Sequence, residues 1–547
     1  QITGGGDLTK VGTGTITLTA ANNYSGRTLI NVGTLNITNN QALSPGSDTV
    51  VANGATLSLG ASGLTVPETL TLVGDGQGTD VNGNPFGALK LNVPASPGAA
   101  STYAGTVTLS GATSIGATGG QTLTISGLFD DQTTSTLRKV DTGTVAITGA
   151  NPNFNGGVLV QNGVLRLTNP LAVGPGTAAG GGAVTVASAA GATSGVVSGT
   201  LQLQGTAGAP AFPFSKALTL NGTGFNSIGA LNVLDASGGV GTAAVLDAGV
   251  LLGSATSIAI AASSSLRVAS VISSPGAGAA TASLTRTGAG TLVLAGANTY
   301  LGQTNLTAGV TVIETPTALG GVAANAQGTV VAVGATLRFA TPLAITENLT
   351  LSGSGDGQGV IQVPAGASSV TGLITLQGGV GGEARFGVAA GGALTHNGVI
   401  SGQADLRKSG AGALRLAGAA KNTFLGSTFV EAGQLILAKA AGVDAFAGAV
   451  VVGDGVGGDS ADELIFESSE QIPTLTNSGV PLLVTANSSG AIRLNGNDET
   501  LNGLFLTGAV VTTAALANPA AVGTLTLVGN ALVNSSPEAS SISGRLS

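Results

Sequence analysis

Leu8-Thr-Lys-Val-Gly-Thr-Gly-Thr-Ile-Thr-Leu-Thr-Ala-Ala-Asn-Asn-Tyr24 reads as a Gly-rich turn, an alternating strand, an Asn-containing turn and one aromatic. The phrase returns from Leu137 to Phe154, from Leu284 to Tyr300 and from Leu406 to Phe424, so that successive copies start 129, 147 and 122 residues apart. Self-similarity at a long period is the signature of a solenoid, in which each unit buries its apolar face only against its neighbours. Such a chain is built to be long, and its function is to be sought in that length and in its exposed flanks.

A shorter period runs outward from the first copy. Apolar pairs stand at Ile16/Leu18, Leu35/Ile37, Leu57/Leu59, Leu70/Leu72, Leu89/Leu91, Val107/Leu109 and Leu123/Ile125, 13 to 22 residues apart. In each pair the two apolar residues flank a single residue, which is period-two alternation with one buried face. Clusters of Gly, Asn, Ser and Pro between the pairs supply turns and positive φ. Helical spacing is not sustained anywhere. Separate sandwiches would require strands every 8–12 residues and recurrent linkers. A parallel β-helix requires one coil per ~18–22 residues, stacked at ~4.8 Å, and the spacing favours it. Val32-Gly33-Thr34 fits a corner between two faces. The expectation is an all-β, parallel β-helical rod on the order of 130 Å long. It would be one continuous β-solenoid over 1–547, with supra-repeats at about 1–136, 137–283, 284–405 and 406–547.

Composition narrows the class. Charged residues are 8% of the 547, against roughly 25% in ordinary soluble domains, while glycine contributes 91 residues and Trp, Met and Cys none. Ala, Val, Leu and Ile suit a narrow, evenly stacked interior, and disordered chains lack such content. No run of about 18 apolar residues exists, so no membrane-spanning segment is expected. Aromatic girdles of a membrane barrel are missing too. The net charge of −8 is scattered and no basic patch appears, which argues against nucleic acid as a partner. Stability is expected from backbone ladders and stacked aliphatics, and not from charge pairs.

Other segments echo at the long period. Thr49-Val-Val-Ala-Asn-Gly-Ala-Thr-Leu57 returns as Thr329-Val-Val-Ala-Val-Gly-Ala-Thr-Leu337, and Gly74-Asp-Gly-Gln-Gly78 as Gly355-Asp-Gly-Gln-Gly359. From about Gly448 a different cassette begins. Gly174 to Pro213 is the most insertion-like stretch. Ile542-Ser-Gly-Arg-Leu546 resembles the run-in Ile2-Thr-Gly to Leu8, which would suit excision from a longer array or head-to-tail stacking.

The phrase Gly12-Thr-Gly-Thr-Ile-Thr-Leu-Thr-Ala-Ala-Asn-Asn-Tyr-Ser-Gly26, followed by Ile30-Asn-Val-Gly-Thr-Leu35 and Ala42-Leu43, closely resembles the autotransporter-associated β-strand repeat. Gly288-Ala-Gly-Thr-Leu-Val-Leu-Ala-Gly-Ala-Asn-Thr-Tyr300 is a cleaner copy, and the copies with Phe154 and Phe424 are looser. The resemblance implies a right-handed parallel β-helix and export to the bacterial cell surface or beyond. It implies roles in adhesion, aggregation or surface-layer building, and no catalytic centre. Its partners would be host or bacterial surfaces, polysaccharide or copies of itself. A family member normally ends in a membrane β-barrel translocator.

Candidate sites are few. His396 is the sole histidine and replaces an inward aliphatic, as the phase of Leu266-Arg-Val268 shows; no nucleophile or orienting acid attends it. Asp130-Asp131 and Asp462-Glu463 are adjacent on strands and so face opposite sides, which does not make a glycosidase or lyase pair. Calcium is the best metal candidate, at Gly453-Asp-Gly-Val-Gly-Gly-Asp459 with Asp462 and Glu463, and at Asp80-Val-Asn-Gly-Asn84. Gly-Asp-Gly is equally an ordinary tight turn. Gly12-Thr-Gly14 lacks the Lys-Ser/Thr and helix of a phosphate loop. Tyr24, Phe154, Tyr300 and Phe424 are expected to close coil corners instead of offering ligand platforms. The reading is a non-catalytic structural surface protein with no catalytic, cofactor or metal residues assigned. The alternatives are a self-assembling extracellular filament subunit and a polysaccharide-cleaving β-helix enzyme.

Overall fold

A computed structural model describes residues 1–547 apart from 44–45, 80–82, 132–134, 177–181, 189–197, 207, 209–210, 237, 277–281, 322–327, 379–380 and 477–478. Among the described residues the chain is short strands joined by turns, with one helical turn at Phe225–Ser227. It divides into two compact units, 1–292 and 293–547, each described by itself. Both are parallel β-solenoids.

In the first unit Leu8, Thr28, Thr49 and Leu70 share one rung position of successive parallel strands. Coils here are therefore 20 to 21 residues long. The step from Leu70 to Val107 is longer, because two extended turns are inserted between the faces. Side chains alternate in and out, and the inward ones stack. Val66, Tyr103, Ile125, Ile147, Leu167, Leu203, Val233 and Ile260 form one such column, every member buried. Leu123, Val145, Leu165, Leu201, Leu231 and Ile258 form its neighbour. Each buried Leu or Ile contributes roughly 1.5–3 kcal/mol of apolar burial, and the columns repeat that contribution at every coil. In the second unit Leu337, Ile361, Phe386, Lys408, Val430, Val452, Ala486 and Leu506 align in the same way.

Two sequence expectations change in detail. The apolar pairs that run from Ile16/Leu18 to Leu123/Ile125 are not successive coils of one face. Leu35/Ile37, Leu57/Leu59 and Leu89/Leu91 stack on each other, whereas Leu70/Leu72 stacks on Thr49–Val51 in another face. Consecutive strands are successive faces of one coil. The stretch from Gly174 to Pro213 carries wall as well as added length: Val184–Val186, Gly199–Gln204 and Phe212–Phe214 lie in the ladders, while the rung step from Leu167 to Leu203 takes 36 residues against the 20 to 21 of the first coils. Its residues 177–181, 189–197, 207 and 209–210 lie outside the described residues.

Gly33 turns the corner read from Val32-Gly33-Thr34. It sits at φ +79°, and a Cβ there would lie 2.4 Å from the Gly12 carbonyl oxygen of the preceding coil. Gly163 and Gly433 hold the same place in later copies, at φ +67° and +68°.

Candidate functional site

Each copy of the phrase carries the same three side chains. In the first, second and fourth copies they lie within one unit and build one corner, and in the third Arg286 lies in the first unit with Asn298 and Tyr300 in the second. The third residue of the phrase is a cation in all four copies: Lys10, Lys139, Arg286 and Lys408. Alternation points this residue inward, into an aliphatic column. Lys139 stands between Ile115 and Val160, and Lys408 between Phe386 and Val430. All four are buried. A buried ammonium requires acceptors, and the corner supplies carbonyl oxygens from two coils. Lys10 Nζ donates to the carbonyls of Val11 (3.1 Å), Gly12 (2.6 Å) and Val32 (3.0 Å). Lys139 donates to Val140 (2.9 Å), Asp141 (2.7 Å) and Asn162 (2.7 Å). Lys408 donates to Ser409 (3.1 Å), Gly410 (2.6 Å) and Ala432 (2.8 Å). The Arg286 guanidinium donates to Gly288 and Gly290. Burial pushes Lys139 and Lys408 down to about 7, with Asp141 and Asp462 respectively opposing the shift.

The second member is the asparagine of the turn: Asn22, Asn151, Asn298 and Asn422, all buried. Its Nδ2 donates forward one coil, from Asn22 to Ala42 (2.7 Å), Asn151 to Ala172 (2.6 Å), Asn298 to Ala318 (2.5 Å) and Asn422 to Ala445 (3.0 Å). Its Oδ1 accepts from the coil before, from the N–H of Ile2 (2.7 Å) at Asn22, Phe129 (2.7 Å) at Asn151 and Ile400 (2.9 Å) at Asn422. One amide thus ties three consecutive coils in register. The third member is the aromatic. Tyr24, Phe154, Tyr300 and Phe424 are all at most 2% exposed, so they are corner fillers. Tyr24 and Tyr300 share hydrogen bonds with Thr28 (2.6 Å) and Thr304 (2.7 Å).

The candidates read from sequence fall as follows. His396 is buried in the column Val370, His396, Leu416, Leu437, with Nδ1 3.1 Å from the Val370 carbonyl. Burial, then the nearby Lys439, pushes it down to about 4. Asp130 is exposed, while Asp131 Oδ2 accepts from the Asn155 N–H at 3.3 Å. Asp462 is buried and accepts from Ser489 (2.6 Å), whereas Glu463 faces outward onto Arg493 (2.6 Å) and Gln434 (2.8 Å). Asp454 accepts from the N–H of Val456 (2.8 Å), an ordinary turn. Among the described residues no group of acids or histidine is placed to hold a metal ion. Asp80, Val81 and Asn82 of the other calcium candidate lie outside the described residues.

Sequence reasoning missed the caged cations, although a Lys or Arg three residues into every copy was visible. It also missed the buried acids Glu68, Glu347 and Glu499, pushed up by burial to about 7, 7 and 8. Charge pairs are more prominent than expected on the second unit. Arg407 Nε lies 2.7 Å from Glu383, Arg385 and Arg407 both meet Glu431, and Arg407 stacks 4.1 Å over the Phe429 ring.

No helix among the described residues is long and apolar enough to cross a membrane. The family model described as the passenger-associated-transport-repeat matches the chain four times, at residues 8–37, 137–167, 284–313 and 406–437. These are the four copies of the phrase with the strands on either side. No curated protein and no solved structure matches the chain.

Proposed function

We propose that this chain, which carries four passenger-associated-transport repeats like those of autotransporter passengers, is a non-catalytic structural segment presented at the bacterial cell surface or outside it. The observation that carries the reading is the corner itself. In each matched repeat the buried asparagine, and in three of the four the buried lysine, joins successive coils of a parallel wall, so the repeat serves to extend and lock a solenoid. A wall held by ladders at every rung resists local opening and protease attack, which suits a protein exposed outside the cell. Adhesion or aggregation through many weak contacts along the wall follows from that form.

The test is to label intact producing cells with antibody raised against the purified chain, then treat them with external protease. Surface labelling, slow cleavage, and loss of attachment or clumping when the segment is deleted are expected. Label reached only after lysis would overturn surface presentation. Electron microscopy of the purified chain separates dispersed particles, expected here, from uniform fibres, which would favour a filament subunit.

A further inference from the structure

The repeated Gly-Asp-Gly-Gln-Gly loops give each unit a groove of similar size. In the first unit the loop 74–78 is anchored on Thr56, whose Oγ1 accepts from the Gln77 N–H (2.8 Å) and donates to the Gly87 carbonyl (3.0 Å). In the second, Thr336 accepts from the Asp356 N–H (2.9 Å) and donates to Gly359 (3.2 Å). Beside the first loop lies a groove of about 430 Å³ whose lining includes Thr34, Asn36, Ser58, Phe86, Lys90 and Asn92. Beside the second lies one of about 480 Å³, lined among others by Arg338, Gln358, Gln362, Pro364, Arg385 and Ala389. Both volumes fall in the range of roughly 300–1,000 Å³ usual for ligand sites.

The lining selects the ligand. Every cation in it is already paired: Lys90 with Asp141 at 3.2 Å, Arg338 with Asp356 at 3.4 Å, and Arg385 with Glu431. No cation is left over to draw in an anion. The lining presents hydroxyls, amides and N–H forks, some of them already bonded within the wall, as Arg338 is to Gln362 (2.8 Å) and Thr34 to Gln77 (2.8 Å), beside an apolar rim of Phe86 and Pro94, or of Val363, Pro364 and Ala389. These polar groups sit on successive rungs, Asn36, Ser58 and Lys90 in one groove and Arg338, Gln362 and, past Gly387, Ser409 in the other. Rungs recur every ~4.8 Å, so the hydrogen-bonding groups repeat along a line. A peptide strand would seek an unpaired sheet edge, and the strands under the grooves are paired on both sides.

We propose that the two grooves are repeated subsites for a neutral, hydroxyl-rich polysaccharide, with several sugar rings lying along the rungs. The proposal rests on the surface reading for its setting but not for its test. Purified chain is examined by saturation-transfer NMR and calorimetry with maltohexaose, cellohexaose and hexagalacturonate. Weak binding of a neutral hexasaccharide at two sites, insensitive to salt, is expected. Asn92→Trp and Ala389→Trp, at exposed positions, should each fill one groove and remove one site with the melting temperature kept. Together they should remove binding, while Gln362→Ala should weaken the second site about tenfold. No binding of either neutral sugar, or binding the double variant retains, overturns the proposal. So does preferential, salt-sensitive binding of hexagalacturonate. Surface presentation is judged by the cell experiment alone, so either idea can fail while the other stands.

Discussion

The corners at Tyr24 and Tyr300 and those at Phe154 and Phe424 occupy the same place with different chemistry. In the tyrosine corners the phenol meets a threonine that opens the next strand, Thr28 or Thr304. In the Phe154 corner that threonine is Val158, so both polar atoms are gone together. The Phe424 corner is half converted: the phenol is gone, Thr428 remains, and its Oγ1 is buried without a partner. An orphaned buried hydroxyl costs about 1–3 kcal/mol, a cost the wall also bears at Tyr103 and Thr311. The cation and the asparagine, by contrast, are the same in all four copies apart from Arg286. The constant part of the corner holds register, and the variable part fills space.

The strongest way to break this division is to remove the constant part. Lys139→Met leaves the carbonyls of Val140, Asp141 and Asn162 without their common donor. A loss of about 3–5 kcal/mol is expected, read from denaturant midpoints and from hydrogen exchange around residues 139–163. Lys139→Arg should retain more, because Arg286 serves in the third copy. A Met variant as stable as the parent would show that the cation is a passenger of the column.

Much of the fold was legible because a solenoid writes its geometry locally. Alternation at Leu35/Ile37 fixes which side chains enter the wall, and Gly33 marks the corner. The rung partners were less legible, since Leu57 pairs with Leu89 across an inserted turn of unpredictable length. The caged cation was readable in principle: a charged residue at an inward phase in four copies demands a buried acceptor set. The grooves were not, because Ser58, Lys90 and Phe86 meet only once coils of unequal length are stacked.

A pH experiment sharpens the comparison between cationic corners and the buried acids beside them. Burial pushes Glu347 up to about 7, with the Thr329 hydroxyl at 3.0 Å opposing the shift. The folded value lies above the unfolded value of 4.5, so this stabilising contribution is complete below pH 4.5 and is lost as pH rises through 7. Lys139 and Lys408, at about 7, begin to titrate only at the top of that window. His396, at about 4, acts in the opposite sense within it, so the readout is the difference between the parent and Glu347→Gln. Parent stability should fall by about 2–3 kcal/mol more than that of the variant between pH 4.5 and 7. Parallel pH curves would show that Glu347 is solvated when folded.

A smaller effect should come from making a tyrosine corner half converted. Tyr24→Phe strands Thr28 in the way Thr428 is stranded and should cost about 1–2 kcal/mol. Adding Thr28→Val recreates the Phe154 and Val158 pair and should recover most of the loss. If the double variant is no better than the single, the hydroxyls are not coupled, and the pairing rule fails.

The smallest effect is a gain. Phe424→Tyr restores the missing phenol opposite Thr428, at the spacing of four residues seen in Tyr24 with Thr28 and Tyr300 with Thr304. Phe424 is fully buried, so the new hydroxyl must fit beside Thr428 Oγ1 without displacing its neighbours. A stabilisation of about 0.5–1.5 kcal/mol is expected if it satisfies that atom. Thr428→Val should give a gain of similar sign by removing the orphan instead. Opposite signs for the two substitutions would place the fault in packing: a gain from valine with a loss from tyrosine would mean that the fourth corner has already closed around the smaller ring.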